Sequence, residues 1–178
     1  WSTLSPRTFF QGIEELPPGH SMLVSDGRVT IERYWEMTFP EGSAMPQRPT
    51  REYAEELRDL LVDATRVRLR ADVPVGAYLS GGLDSSTVTA IVRSQTTNPL
   101  ETFSIAFSDA DYDESGYQMT MARALGTEHH VVHATHADIG EVFPEVIWHA
   151  ETPVMRTSPA PMFLLSGLVR DNRFKVVL

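Results

Sequence analysis

A short apolar strand that turns through two glycines into a helix dominates the middle of the sequence. Val75–Leu79 has the length and apolar character of a buried strand, and Thr87–Arg93 continues as a helix. Between them lies the Ser80–Ser86 segment, Ser-Gly-Gly-Leu-Asp-Ser-Ser. The first N–H groups of a helix lack intrahelical partners and carry partial positive charge, and Gly81 and Gly82 can adopt positive φ. The pattern therefore predicts an anion-binding site.

Asp84 makes a bare phosphate an unsuitable ligand, because its carboxylate would repel the anion. Mg²⁺ removes this conflict, since it takes oxygen ligands from carboxylates and phosphates together. The segment contains no lysine and lacks the spacing of the common P-loop. We interpret it as a site for a nucleotide polyphosphate with its metal, with hydroxyl donors from Ser80, Ser85 and Ser86. The alternative is a simple turn in which Asp84 or Ser85 caps the helix.

The Ser80–Ser86 segment resembles the pyrophosphate-binding loop of the N-type ATP pyrophosphatases. With Ala71–Gly76 in front of it, the chain is similar to the glutamine-dependent asparagine synthetases over almost its whole length. The resemblance implies an α/β fold with a parallel doubly wound sheet of the adenine-nucleotide alpha-hydrolase-like type. It also implies ATP and Mg²⁺ as ligands, with Asp84 reaching the metal. The residues that it assigns to ATP or pyrophosphate are Leu79, Ser80, Gly81, Gly82, Asp84, Ser85, Ser86 and Ile105.

For two parts of this assignment, the side chains in the sequence give little independent support. The resemblance implies that backbone groups of Leu79 and Ile105 hold the adenine. It also matches Arg156 to a catalytic arginine at the site of the acyl-adenylate, with Thr157 and Ser158 as weaker candidates. A lone arginine in a polar loop suits a bidentate carboxylate or phosphate partner, although an exposed loop cation is the alternative interpretation.

The activity that the resemblance implies is that of an asparagine synthase (glutamine-hydrolysing). A substrate carboxylate, aspartate in the parent family, attacks the α-phosphate of ATP and pyrophosphate leaves. Ammonia from glutamine then converts the acyl-adenylate to an amide. Two alternatives stay open: a β-lactam-synthetase-like enzyme that acts on another carboxylic acid, and a non-enzymatic fold that retains the segment. Modification of tRNA is disfavoured by the absence of cysteine and by the acidic balance.

Composition narrows the possible partners. The formal net charge of −9 argues against a broad nucleic-acid surface, which would be basic. No apolar run approaches the ~20 residues of a membrane span, and the absence of cysteine excludes disulfides and thiolate chemistry. We therefore expect a cytoplasmic protein that binds small molecules and neither nucleic acid nor membrane. A second copy of the chain is a candidate partner.

The N-terminal part has a different pattern from the rest. Asp26-Gly27 lies between two alternating runs, which predicts a β-hairpin with a type I′ turn. Thr38–Pro49 has the composition of a linker. We place a domain boundary there, with residues 1–45 as the tail of the family's glutaminase domain plus linker. Residues 46–178 would then be the N-terminal part of the ATP-dependent synthetase domain.

From residue 50 onward, predicted helices alternate with predicted strands, which is typical of a parallel doubly wound sheet. Thr50 is the expected N-cap of the first helix. The other predicted segments are the strands Thr102–Phe107, Thr127–Val132 and Phe174–Leu178, the helix that ends at Leu125 before Gly126, and the helices Ala137–Ala150 and Pro161–Asp171.

Two clusters of polar residues invite metal-binding interpretations that we reject. A calcium loop that begins at Asp109 needs Gly at its sixth position and Glu at its twelfth, where the sequence has Glu114 and Thr120. A helix start is the better interpretation, with Ser115 and Gln118 as a capping box or Asp113 as a single cap. The four histidines between residues 129 and 136 have no cysteine or carboxylate at ligand spacing. We expect them to be surface or core-edge residues.

The ends of the chain suggest a piece of a longer protein. The chain starts at Trp1 without Met, and it ends on a strand-like run at Leu178. The family resemblance places a second metal carboxylate and a catalytic lysine beyond that point. We therefore expect that this piece alone forms no amide.

Overall fold

The computed structural model describes residues 3–39 and 47–178. The chain divides into two compact units, Trp1–Arg48 and Pro49–Leu178. The predicted boundary at residues 45 and 46, and most of the predicted linker, lie outside the described residues.

The first unit contains the predicted hairpin. Strands β1 (His20–Ser25) and β2 (Arg28–Arg33) pair antiparallel, with Met22 opposite Ile31. The two turn residues have φ values of 50° and 75°, as a type I′ turn requires. The hairpin is therefore confirmed. Its apolar side chains are more than half exposed, so this face has no cover within the described part of the unit.

The second unit is built on a four-stranded parallel sheet in the order β5-β4-β3-β6. β3 is the first strand of this sheet along the chain. β4 and β5 follow on one side of it, and β6 pairs with its other side. The strand order therefore reverses beside β3, which is where open α/β sheets bind ligands. The elements are α1 (Thr50–Arg68), β3 (Val75–Tyr78), α2 (Leu83–Gln95), β4 (Glu101–Phe107), α3 (Ser115–Leu125), β5 (Glu128–Ala134), α4 (His136–Ala150), α5 (Pro159–Asp171) and β6 (Val176–Val177).

Helices cover both faces of this sheet. Ala77 belongs to a cluster with Val92 of α2, whereas the next residue, Tyr78, packs with Phe103 and Leu165 of α5. Successive residues of a strand point to opposite faces, so α2 and α5 lie on opposite sides. The predicted parallel doubly wound α/β fold is confirmed.

The N-cap residues of α1 and α3 differ from the predicted ones. Pro49, rather than Thr50, is the N-cap of α1. Glu114 is the N-cap of α3, and Gln118 does not return to the helix start as a capping box requires. Instead, Asp113 accepts hydrogen bonds from the backbone N–H and hydroxyl of Ser115.

Among the described residues, no helix combines the length and apolar character needed to cross a membrane.

Candidate functional site

The Ser80–Ser86 segment connects β3 to α2 through a conformation that Gly81 makes possible. Gly81 has a φ of 87°, and a Cβ on it would lie 2.8 Å from the Cβ of Tyr117 and 3.0 Å from the backbone N of Gln118. Both the backbone angle and the close approach to α3 therefore require glycine. Gly82 differs from the prediction, since its φ is −72° and its backbone is extended.

Helix α2 starts earlier than predicted. Gly82 is its N-cap and Leu83 its first residue, so Asp84 lies in the first turn of the helix. No side chain caps this end, and the first N–H groups have no intrahelical partner. The Asp84 carboxylate is exposed beside them. The helix dipole and the free N–H groups favour a phosphate at this end of α2. The accessible Asp84 carboxylate suits a cation that bridges it to the phosphate.

The hydroxyls of Ser80 and Ser85 brace the segment from within. Their Oγ atoms are 2.7 Å apart, and the Ser80 N–H donates to Ser85 Oγ at 3.1 Å. Ser85 Oγ donates to the Gly82 carbonyl, and the Gly82 N–H donates to Ser80 Oγ. Ser86 is buried, and its hydroxyl has no hydrogen-bond partner among the described residues. Ser80 and Ser85 therefore hold the segment in one shape before any ligand is considered, whereas the Ser86 hydroxyl takes no part in this bracing.

Leu79 directly follows β3, Ile105 lies on the neighbouring strand β4, and both line one cavity of about 190 Å³ together with Ser80. The Leu79 N–H donates to the Phe103 carbonyl, and its own carbonyl accepts the Ser104 hydroxyl. The Ile105 carbonyl accepts a hydrogen bond of 2.9 Å from the Gln118 side chain. The structure thus brings the two predicted adenine residues to the start of the Ser80–Ser86 segment.

Arg156 lies in the neighbouring cavity, of about 690 Å³, with Thr157, Ser158 and His136. Tyr112 lines both cavities, as does Phe107. Arg156 is therefore not in the cavity of Ile105 but beside it.

Two of the three histidines of β5 have hydrogen-bond partners in the protein. His129 Nδ1 lies 2.9 Å from the Thr102 hydroxyl, and burial lowers the pKa of His129, with a smaller contribution from His130. His130 lies 2.9 Å from Glu101 and stacks on Phe103. In the described ranges, no three His, Asp or Glu residues are grouped to hold a metal ion.

Gln118 is the residue of this site that the sequence did not reveal. It is 3% exposed and bridges β4 and the Ser80–Ser86 segment. The sequence offers it only a place in a capping box, as one of two possible helix starts, because it follows Ser115 by three positions. The signal against that assignment is its place on the buried face of α3, four residues before Ala122 and seven before Leu125.

The fold and the site together define an α/β domain with a parallel, doubly wound sheet and an uncapped helix start at the point where the strand order reverses. The family model for asparagine synthase matches residues 56–178. The chain belongs to the asparagine synthase family.

Individual relatives are similar over most of this chain. A putative asparagine synthetase (glutamine-hydrolysing) 2 of Methanocaldococcus jannaschii is 32% identical, over 93% of this chain and 32% of the relative. The amidase chyE of Penicillium rubens is 29% identical, over 98% of this chain and 28% of the relative. The chain thus spans about a third or less of the length of these relatives. The crystal structure of an NAD+ synthetase from Burkholderia pseudomallei aligns over 72% of this chain and 56% of its own, with a TM-score of 0.34 and 13% identity, values too low to support any inference.

Proposed function

We propose that this chain contributes the nucleotide-binding part of an ATP-dependent, amide-forming ligase. The observation that carries the proposal is the uncapped start of α2 behind Gly81, with the exposed Asp84 carboxylate in the first helical turn. Membership of the asparagine synthase family supports the same reaction class. In the domain organisation that we propose, residues 1–45 end a glutaminase domain and residues 46–178 begin the synthetase domain.

The β- and γ-phosphates of ATP would bind at the first N–H groups of α2, with Gly81 and Gly82 allowing close approach. Asp84 is acceptor-only when ionised, so it would reach the phosphates through Mg²⁺. When bound, the metal offsets the negative charge that develops on departing pyrophosphate. Ser80 and Ser85 would keep the backbone donors in position, and Ser86, whose hydroxyl has no partner among the described residues, would complete the ATP-binding set.

The base and the reacting acid would occupy the two adjoining cavities. Backbone groups of Leu79 and Ile105 line the cavity proposed for adenine. The ribose and α-phosphate would then extend toward the cavity of Arg156. There the guanidinium would orient a substrate carboxylate for attack on the α-phosphate, a role that suits its planar pair of donors.

The physiological reaction that we favour is asparagine synthesis in the cytoplasm. Aspartate attacks the α-phosphate, its carboxylate oxygen bonds to phosphorus, and the bond to pyrophosphate breaks. Ammonia released from glutamine then attacks the acyl carbon, and AMP leaves. A related enzyme acting on another carboxylic acid is the second candidate, because this chain is about as similar to a protein named amidase as to one named asparagine synthetase.

Metal-dependent binding of ATP and pyrophosphate tests the proposal. We expect the chain to bind both ligands in the presence of Mg²⁺. Asp84→Asn should weaken this binding by about tenfold or more, because it removes a charged ligand of the metal. Asp63→Asn, on the exposed face of α1, is the matched control and should bind as wild type does. Absence of binding by the wild type, or equal binding by Asp84→Asn, would refute the proposal.

A further inference from the structure

The side-chain amide of Gln118 is buried at the start of the proposed nucleotide site with half of its hydrogen-bonding capacity unused. Its Nε2 donates to the carbonyls of Ile105 at 2.9 Å and Ser80 at 3.5 Å. Its Oε1 is buried and has no hydrogen-bond partner among the described residues. Buried polar atoms in folded proteins are nearly always paired, so an unpaired acceptor here indicates a missing donor.

The orientation of the amide follows from its neighbours. A flipped amide would place Oε1 against the carbonyl oxygens of Ile105 and Ser80, and acceptors do not bond to one another. Nε2 must therefore face these carbonyls, and Oε1 is the atom left over. The unpaired atom of Gln118 is therefore an acceptor, and its missing partner must be a donor.

Several of the groups that line this cavity are acceptors. Its lining residues include Leu79, Ser80, Ile105, Gln118 and the acidic Glu114. The Leu79 carbonyl already accepts the Ser104 hydroxyl. The Ile105 carbonyl accepts Gln118 with one of its two lone pairs and keeps the other. Two acceptors, Ile105 O and Gln118 Oε1, thus belong to directly bonded neighbours and suit one group that carries two hydrogens.

We infer that Gln118 is a base-specificity residue that selects a purine with an exocyclic 6-amino group over a 6-oxo purine. The inference rests on the proposed function, because it requires a nucleotide with its phosphates on the Ser80–Ser86 segment. An amino group has two hydrogens, one for Ile105 O and one for Gln118 Oε1. A 6-oxo group presents an acceptor to the same two acceptors and is repelled. Gln118 therefore adds side-chain discrimination to a base site that otherwise consists of backbone groups.

The test compares ATP, ITP and pyrophosphate, each with Mg²⁺, on the wild-type chain and on Gln118→Leu. We expect wild type to bind ATP about tenfold or more tightly than ITP, the effect of one well-placed hydrogen bond that a mismatched analogue cannot make. In Gln118→Leu, which keeps the volume but removes donor and acceptor, the ratio should fall toward unity. Pyrophosphate binding should stay within about twofold of wild type, because the phosphate contacts are untouched. Thr120→Ala, an exposed substitution on the same helix, is the control.

Each contrary outcome has a distinct meaning. Equal binding of ATP and ITP by wild type would overturn the inference without any variant, so a poorly folded Gln118→Leu does not leave it untested. An unchanged ratio in the variant, or a parallel loss of pyrophosphate, would also overturn it, because Gln118 would then not read the base. Failure of wild type to bind pyrophosphate would instead refute the proposed phosphate site itself.

Discussion

A Cβ on Gly81 would lie 2.8 Å from the Cβ of Tyr117, a separation that real side chains essentially never show. The contact joins the segment after β3 to the start of α3, so it fixes the distance between two parts of the proposed nucleotide site. Since Tyr117 Cβ is anchored directly to the helix backbone, relief of the overlap requires movement of α3 or of the segment. The addition of one methyl group at Gly81 would therefore change the shape of the site.

We predict that Gly81→Ala weakens binding of Mg²⁺-pyrophosphate and destabilises the second unit by about 1–3 kcal/mol, because it adds strain at a φ of 87° and a steric overlap. Urea unfolding and isothermal titration measure the two effects. Gly82→Ala is the matched control for folding. Its φ is negative, and the new Cβ would meet Ser80 Oγ at an ordinary 3.4 Å. Similar destabilisation by both variants would contradict the role given to Gly81.

The second prediction concerns the hydroxyl of Ser85. Ser85→Ala removes the acceptor of the Ser80 N–H and the 2.7 Å bond to Ser80 Oγ. We expect a loss of about 1–2 kcal/mol in the free energy of unfolding, together with weaker ATP binding, because the segment loses its internal brace. Ser94→Ala removes two exposed bonds on the same helix, one donated to the Ile91 carbonyl and one accepted from the Gln95 side chain. If Ser94→Ala is as costly as Ser85→Ala, the brace has no special importance.

Ser86 gives the opposite combination of effects. Its buried hydroxyl has no partner among the described residues, so Ser86→Ala, which replaces this hydroxyl by hydrogen, should leave the free energy of unfolding unchanged or raise it slightly. If the hydroxyl serves the ligand, Ser86→Ala will nevertheless weaken pyrophosphate binding. Paired unfolding and binding measurements separate these effects. Clear destabilisation with unchanged binding would exclude Ser86 from the site.

The sequence predicted the strand, the glycine turn and the parallel sheet because each has a local signal. An apolar run of strand length followed by paired glycines limits the chain to few conformations, and the alternation of helices with strands determines the sheet type. The start of α2 was misplaced because its N-cap is Gly82, which offers no side-chain oxygen to mark a helix start.

The environment of the base cavity had no such local signal. Leu79 and Ile105 could be named only from the family resemblance, and the use of their carbonyls depends on side chains from β4 and α3. Gln118 fits a capping pattern in sequence, yet the structure buries it because its helical face carries Ala122. Long-range packing decided between these two environments, and a pattern of three residues does not contain that information.

Substitution of Arg156 should impair the reaction of the substrate acid rather than the binding of the nucleotide. In the full-length gene product, Arg156→Lys keeps the charge but loses the planar pair of donors. We expect acid-dependent exchange between ATP and pyrophosphate to fall by about tenfold or more, while ATP binding is retained. Arg170→Lys, at an exposed position on α5, is the control. Loss of ATP binding in Arg156→Lys would place the residue with the phosphates instead.

The last prediction concerns the pH dependence of stability. Burial, with a smaller contribution from His130, lowers the pKa of His129 from its ordinary value of 6.5. The unfolded chain therefore takes up this proton at a higher pH than the folded chain does. Stability should fall as the pH drops from about 6.5 through the lowered pKa of the folded state, because the unfolded state binds more protons in that range.

The carboxylates with lowered pKa values, Asp113 and Asp138, lie outside this window. Both titrate below their usual value of 3.8, so their contribution is lost only in stronger acid. Unfolding measured between pH 7 and pH 5 therefore avoids the titration of these two carboxylates. We expect His129→Asn, which keeps a polar group beside Thr102, to flatten the pH dependence. His136→Asn, whose side chain is 83% exposed, should leave the dependence as it is in wild type. A slope that survives in His129→Asn would show that the buried imidazole is not its source.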